Sequence, residues 1–188
     1  MIDNKAKAVS IIAMNPKNGE ILGMVNKPDY NPNDPWDLSK SYDENQKVWR
    51  NRAVSDIFEP GSIFKVFTAT AAMEEGLVKE DDKFFCSGST VVAGRRIKCW
   101  KTTGHGAENF VDILKNSCNV GFMELGRRLG AEKLNKYIYL FGFGQKTKID
   151  VNGEASGIVT KTKNMTAQDV ATTSFGQHDA ISCIQYLT

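Results

Sequence analysis

No apolar run in these 188 residues is long enough to span a bilayer, and no secretory signal is visible. An excess of either charge is lacking too. Lys plus Arg number 24 against 22 for Asp plus Glu, and a net charge of +2 gives no reason to invoke nucleic acid or an anionic membrane surface. The four cysteines, Cys86, Cys99, Cys118 and Cys183, are too few for a disulfide scaffold, though enough for one metal site or one bridge. Internal repeats and low-complexity segments are absent. What remains is the length of one domain with a real core, spanning residues 1–188. Met1-Ile2-Asp3 looks like the start of a piece cut from something longer.

The stretch around which the rest is organised runs from Glu59-Pro60-Gly61 through Ser62 to Met73. Pro60 and Gly61 mark a break, and the residues after them read as a helix ending near Gly76. Ile63, Phe64, Val66, Phe67, Ala69, Ala71, Ala72 and Met73 cover most of its circumference, which predicts a central helix buried on several sides. Two polar groups, Ser62 and Lys65, sit in its first turn. Residues three apart share a helix face, so the amine can reach the hydroxyl. The helix N-terminus eases anion formation at the hydroxyl, and burial favours a neutral amine, giving a nucleophile beside its general base. Alone the pattern is weak, because a Ser near a cap and a Lys snorkelling outward would look the same.

Along the chain, residues 8–14 read as a strand, 15–19 as a turn and 20–26 as a returning strand that should lie in a sheet against the central helix. Residues 27–45, with Pro28, Pro32 and Pro35, read as a surface loop, and 48–58 as a short helical approach to Ser62. Residues 84–100 suggest a small β ribbon, followed by a Gly/Thr loop carrying His105. Helices are expected at 109–115, at 119–129 with Gly130 ending it, and at 132–140, followed by a turn at Phe141-Gly142-Phe143-Gly144. Residues 145–164 read as loop or short ribbon, 166–173 have a cap-like start, and the segment from Ala180 onward looks helical. The class is α+β: an early antiparallel sheet hairpin, then a helical region around Ser62.

A second polar element, Ser117-Cys118-Asn119, lies at a loop-to-helix junction, where side chains can project into a cleft. An N-cap Ser beside an Asn is its bland reading. Taken together, Glu59-Pro60-Gly61-Ser62-Ile63-Phe64-Lys65 and Ser117-Cys118-Asn119 resemble the first two active-site motifs of class B penicillin-binding proteins. Residues 14–22 are similar to that family's opening hairpin. Asn51-Arg52-Ala53-Val54, Phe141-Gly142-Phe143-Gly144, Asn152-Gly153-Glu154 and Ser174-Phe175-Gly176-Gln177 resemble its framework. The resemblance covers about residues 8–185, and the Cys-rich ribbon looks most like the sporulation-specific branch. The family's third motif, Lys-Thr/Ser-Gly, would come well after Gln177; Lys101-Thr102-Thr103-Gly104 has an extra residue and precedes the second motif. The expectation is therefore an incomplete transpeptidase domain of the penicillin-binding-protein and serine β-lactamase type, lacking its C-terminal strands.

The resemblance implies D,D-transpeptidation of peptidoglycan stem peptides in spore cortex or other cell-wall synthesis. Ser62 would attack the carbonyl of the penultimate D-Ala, Lys65 would take its proton, Ser117 would relay it to the leaving amine, and Asn119 would bind a substrate amide. It implies acylation by β-lactams, no catalytic cofactor, a membrane glycosyltransferase partner and no nucleic acid. It also implies a place on the extracytoplasmic face of the cell or forespore membrane, with the anchor outside this chain. Two rivals remain at this level: an inactive scaffold of a cell-wall complex, and a β-lactam sensor or β-lactamase. For the latter no matching Glu loop is visible.

Cys86, Cys99 and His105 cluster within the ribbon and its loop, and thiolate and imidazole suit a structural Zn²⁺ site, which normally takes four ligands. Asp82 is the first candidate for the fourth and Cys118 the next. A Cys86–Cys99 disulfide or simply buried thiols are the alternatives. Cys118 is otherwise read as inward packing, and His178 and Asp179 as surface polar groups.

Overall fold

A computed structural model describes residues 3–188, so that Met1 and Ile2, within the stretch read as a cut end, lie outside the described residues. In chain order the first elements are β1 (Val9–Met14), β2 (Ile21–Lys27), α1 (Tyr42–Trp49), α2 (Arg52–Ser55), β3 (Ile57–Phe58) and α3 (Lys65–Glu74). The ribbon region follows as β4 (Lys83–Cys86), β5 (Ser89–Val92), β6 (Arg95–Lys98) and β7 (Gly106–Asn109). Last come α4 (Phe110–Lys115), α5 (Asn119–Leu140), α6 (Ala167–Thr173), β8 (Ile181–Ser182) and α7 (Cys183–Leu187). Two compact units result. One holds the residues up to Phe58 with Gln145–Gly157 and Ile181–Thr188; the other holds Glu59–Gly144 and Ile158–Ala180.

In the first unit β1 and β2 pair antiparallel from Val9↔Lys27 to Ala13↔Gly23, with the register shifting at Met14↔Ile21. The expected polar loop to Asn45 ends earlier. Ser41 caps α1 and its own backbone N–H is met by Glu44, so the helix starts at Tyr42. Asn26 ties the hairpin to the next segment, accepting from the Ser10 hydroxyl and the Ala53 N–H and donating to Asn51. Ala53, Val54, Ile181 and Ile184 form the buried centre. The Glu154 carboxylate accepts from Thr147 N–H and hydroxyl and from Lys148 N–H, which closes the loop expected at 145–164. At the C-terminal side the expected helix is shorter than predicted: β3 captures Ile181–Ser182 as a strand, and Ser182 then caps α7.

The second unit is organised on α3, α5 and α6. α3 is preceded by a 3₁₀ turn over Gly61–Phe64, so Ser62 lies on the tighter turn and Lys65 opens the α-helix. Phe64, Phe67, Phe141 and Phe143 pack ring against ring, with centroids 4.8–5.5 Å apart, which explains the aromatic turn after α5. Burial of α3 and its leading turn is less complete than the composition predicts: Ile63 on the turn is 45% exposed, and Val66 and Met73 on α3 are 47% and 55% exposed. α5 breaks at Gly130, where φ is 69° and ψ 173°, the position at which the sequence ends one helix before the next. The single ribbon expected at 84–100 is two antiparallel pairs, β4 with β7 and β5 with β6.

Candidate functional site

The turn carrying Ser62 is tied down through its backbone at a close glycine–glycine approach. Gly61 (φ 61°) donates its N–H to the Gly176 carbonyl at 2.7 Å. Gly176 itself has φ 84°, and a Cβ there would lie 2.0 Å from the Gly61 oxygen, so the close approach requires glycine at 176, while at Gly61 it is the positive φ and not space that favours glycine. One turn on, Lys65 is 1% exposed. Its Nζ lies 3.2 Å from Ser62 Oγ, 2.8 Å from Ser117 Oγ, 2.7 Å from the Ser117 carbonyl and 2.7 Å from Asn119 Oδ1, with the Phe122 ring centroid at 5.5 Å. Burial pushes the Lys65 ammonium down to about 8, against the pull of the Cys99 and Cys118 thiols. A neutral amine has two protons and one lone pair. Two fixed acceptors, the Ser117 carbonyl and Asn119 Oδ1, can take the protons and leave the lone pair for a hydroxyl proton.

Ser117 adopts φ 51°, the left-handed region that costs a residue with a Cβ about 1–2 kcal/mol. That conformation turns both its carbonyl and its hydroxyl onto Lys65. The carbonyl also accepts from Trp100 Nε1 at 3.1 Å. Cys118, not Ser117, caps α5, its sulfur accepting the Gly121 N–H, so Asn119 is the first helical residue and faces the amine. All four predicted residues thus meet in one hydrogen-bonded set.

Behind that set the sulfur and imidazole atoms of Cys86, Cys99, His105 and Cys118 all lie within 4.8 Å of one another. The four cysteines of the chain are free thiols. Cys99 Sγ is 3.8 Å from His105 Nδ1. Burial alone would raise the Cys99 thiol, but N–H groups of Lys101, Asn119 and Val120 converge on the sulfur and bring it below the usual thiol range. Burial pushes Cys118 upward. Two glycines bring the loops that carry these groups together: a Cβ on Gly88 would meet the Thr102 oxygen at 2.0 Å, and one on Gly104 the Cys86 oxygen at 2.3 Å. Asp82, the first candidate for a fourth ligand, is instead bound by Arg128 at 2.8 Å, and Cys118 completes the cluster.

Glu108 escaped the sequence reading. It is 4% exposed, accepts from Asn116 Nδ2 at 2.9 Å, and its other oxygen stands 3.9 Å from His105 Nδ1 without a hydrogen-bond partner. Only its place opposite Phe84 in the β4–β7 register would have flagged it as inward-facing. His178 is exposed as expected, its Nδ1 3.5 Å from Asp169 and its Nε2 3.0 Å from the Thr160 hydroxyl. Asp179 is not a surface group: it is 5% exposed, accepts the Thr160 N–H, and burial raises its carboxyl.

A hydroxyl, a buried amine, a second hydroxyl and a carboxamide in one set are the groups that serine acyl transfer requires. The chain belongs to the penicillin-binding-protein transpeptidase domain family, whose profile matches residues 9–188. It is 48% identical over 176 residues to stage V sporulation protein D of Bacillus subtilis, covering 93% of this chain and 26% of that protein. It is 34% identical over 184 residues to the peptidoglycan D,D-transpeptidase FtsI of Buchnera aphidicola, covering 97% of this chain and 31% of that one. Among solved structures, penicillin-binding protein 3 of Mycobacterium tuberculosis in complex with ampicillin matches with a TM-score of 0.79 at 30% identity, over 96% of this chain and 39% of that one. A peptidoglycan glycosyltransferase from Burkholderia ambifaria matches with a TM-score of 0.83 at 27% identity, over 98% and 52%. The chain therefore spans a quarter to a third of the curated relatives' length.

Proposed function

We propose that this chain carries the nucleophile-bearing part of one peptidoglycan D,D-transpeptidase domain. Ser62 is the acylated residue, Lys65 its general base, Ser117 the proton relay and Asn119 the group that holds a substrate amide. The observation that carries this is the position of Lys65 Nζ, buried and within 3.2 Å of both hydroxyls while two other oxygens fix its protons. Ser62 Oγ attacks the carbonyl of the penultimate D-Ala as its proton passes to Lys65. Through Ser117 the proton reaches the departing D-Ala amine, and an amine of a neighbouring strand then takes the acyl group. The Ser62 N–H is proposed as one oxyanion donor, a contact typically worth about 2.7–4 kcal/mol in the transition state. Intact-mass spectrometry after incubation with a labelled penicillin tests the assignment. One adduct is expected on the parent and none on Ser62→Ala; an adduct persisting on the variant, or none on the parent, overturns it.

The likeness to stage V sporulation protein D supports a place in spore-wall synthesis, and that to FtsI supports stem peptides as substrate. A location outside the cytoplasmic membrane and a membrane glycosyltransferase partner follow from this reading; among the described residues no helix is long and apolar enough to cross a membrane. Cys86, Cys99, His105 and Cys118 are proposed to hold a structural Zn²⁺. Tetrahedral zinc with bonds of about 2.0–2.3 Å separates its ligand atoms by about 3.3–3.8 Å. The 3.8 Å from Cys99 to His105 and the common spread within 4.8 Å fit that polyhedron with small adjustments. Metal analysis is expected to find one equivalent in the parent and well under one in Cys118→Ser. Well under one equivalent in the parent overturns the assignment.

A further inference from the structure

We propose that the basic strand β6, through Arg95, Arg96 and Lys98, forms an anion subsite that reads a free carboxylate on the bound peptide. This rests on the transpeptidase reading and names a specificity element of the same site. A cleft of about 390 Å³ in the second unit starts at Asn119 and Trp100 and runs along the strand to Arg95, with Gln168 and Thr172 of α6 on its other wall.

Its charge is one-sided. Between Cys86 and Ala107 the sequence has Arg95, Arg96, Lys98 and Lys101 and no acidic residue. Among the described residues, neither Arg95, Arg96 nor Lys98 makes an ion pair, and of their side chains only Arg96 makes a hydrogen bond, to Ser89 Oγ. Four other cations of the unit are paired, Arg127 and Arg128 with Glu124, Lys133 and Lys136 with Glu75. What sets β6 apart is that its three unpaired cations line one cleft whose lining holds no acidic residue. The acid nearest in sequence to the α6 wall, Asp169, is committed to the Thr166 N–H and hydroxyl and to His178. The positive field of the cleft is thus uncancelled by its own walls.

The dimensions select what it reads. From Cys99, which adjoins the reacting set, to Arg95 is four residues of extended chain, about 13 Å at 3.3 Å per residue. A peptide whose C-terminal end lies at Ser62 would bring a residue two to four positions upstream alongside these cations. Arg and Lys recognise carboxylates by charge-assisted hydrogen bonds, and the neutral Gln168 and Thr172 side chains suit peptide amides. The exposed Trp100 ring, fixed by its Nε1 on the Asn116 and Ser117 carbonyls, supplies an apolar platform at the reactive end.

The test is fluorescence anisotropy of two labelled pentapeptides ending in D-Ala-D-Ala, one with a free side carboxylate at its second residue and one amidated there. The 188-residue chain is expected to bind the acid about tenfold more tightly than the amide, equivalent to about 1.4 kcal/mol, with the ratio falling as salt is raised. Combining Arg95→Gln, Arg96→Gln and Lys98→Gln should bring the ratio near one at an unchanged melting temperature. Neutralising Lys7, Lys17 and Lys47 instead should leave it at tenfold. Equal binding of acid and amide by the parent, no binding of either, or a ratio that survives the triple variant overturns the subsite. Binding needs no acylation, so failure of Ser62 to take penicillin would remove the transpeptidase reading and leave this result standing on its own.

Discussion

Lys65 can accept a proton only while its amine is neutral, and burial that lowers it to about 8 makes a substantial neutral fraction available near physiological pH. The sign follows directly. Below about 8 the ammonium is charged and unable to act as base; above it the neutral form dominates. Acylation of Ser62 by penicillin is therefore expected to rise with pH through about 8 and level off beyond. Lys65→Arg, which keeps the charge and cannot lose it, should cut the high-pH plateau rate by about 10²–10⁴ and abolish the rise through about 8, the gap to the parent narrowing as pH falls. Stopped-flow or quench kinetics across pH 6–10 decide it, and a flat profile in the parent would remove Lys65 as base. At this scale the sequence was informative where chemistry depends on local spacing: Ser62 and Lys65 are one turn apart and need only a helix to meet. Asp82 was favoured over Cys118 because proximity along the chain was the only guide. In the fold, Arg128, 46 residues away, takes Asp82, while the cap of α5 turns Cys118 inward. Glu108 and Asp179 went unnoticed as buried polar groups because only their strand and loop partners make them so.

Elements here are placed by glycines that act in two separable ways, and two substitutions distinguish them. Gly130 breaks α5 at φ 69° and ψ 173°, a conformation essentially reserved for glycine, with open space where a Cβ would sit, so Gly130→Ala incurs backbone strain alone, about 1–3 kcal/mol. Gly176→Ala meets positive-φ strain too (φ 84°) and in addition drives a Cβ to 2.0 Å from the Gly61 oxygen, pushing on the turn that carries Ser62. Gly176→Ala is expected to cost about 3 kcal/mol or more and to slow penicillin acylation at least tenfold in whatever fraction remains folded. Thermal melts with parallel acylation rates check the pair. Equal effects of the two substitutions on both readouts would show that the close approach does not position Ser62. Gly130 was legible because a helix stop is a local signal. The role of Gly176 was not, since its partner lies 115 residues earlier in the chain. The capped start of α1 was missed for a different reason: three prolines upstream outweighed the Ser41/Glu44 pair, which marks a helix N-terminus.

Across the whole molecule, two compact units share one chain that passes between them repeatedly, and the sulfur–imidazole cluster belongs wholly to one of them. Its four members come from the end of β4, the residue after β6, the loop before β7 and the cap of α5, segments joined otherwise by short two-stranded ladders and the tight Gly88 and Gly104 crossings. Two-stranded ladders are marginal on their own, so a bound zinc would provide much of the local stability, as structural zinc sites do. The same Cys118 is flanked by Ser117 and Asn119, whose oxygens hold Lys65, so loosening the cluster loosens the reacting set. Chelation is therefore expected to lower the melting temperature and to speed hydrogen exchange in β4–β7 and across residues 115–121. Exchange in β1, β2 and α1 should stay as it was, because none of their hydrogen bonds involves the cluster. Acylation should fall with the loss of protection at 115–121 and return when zinc is restored. Protection lost evenly over both units would point instead to global destabilisation and sever the proposed link between the metal site and Ser117.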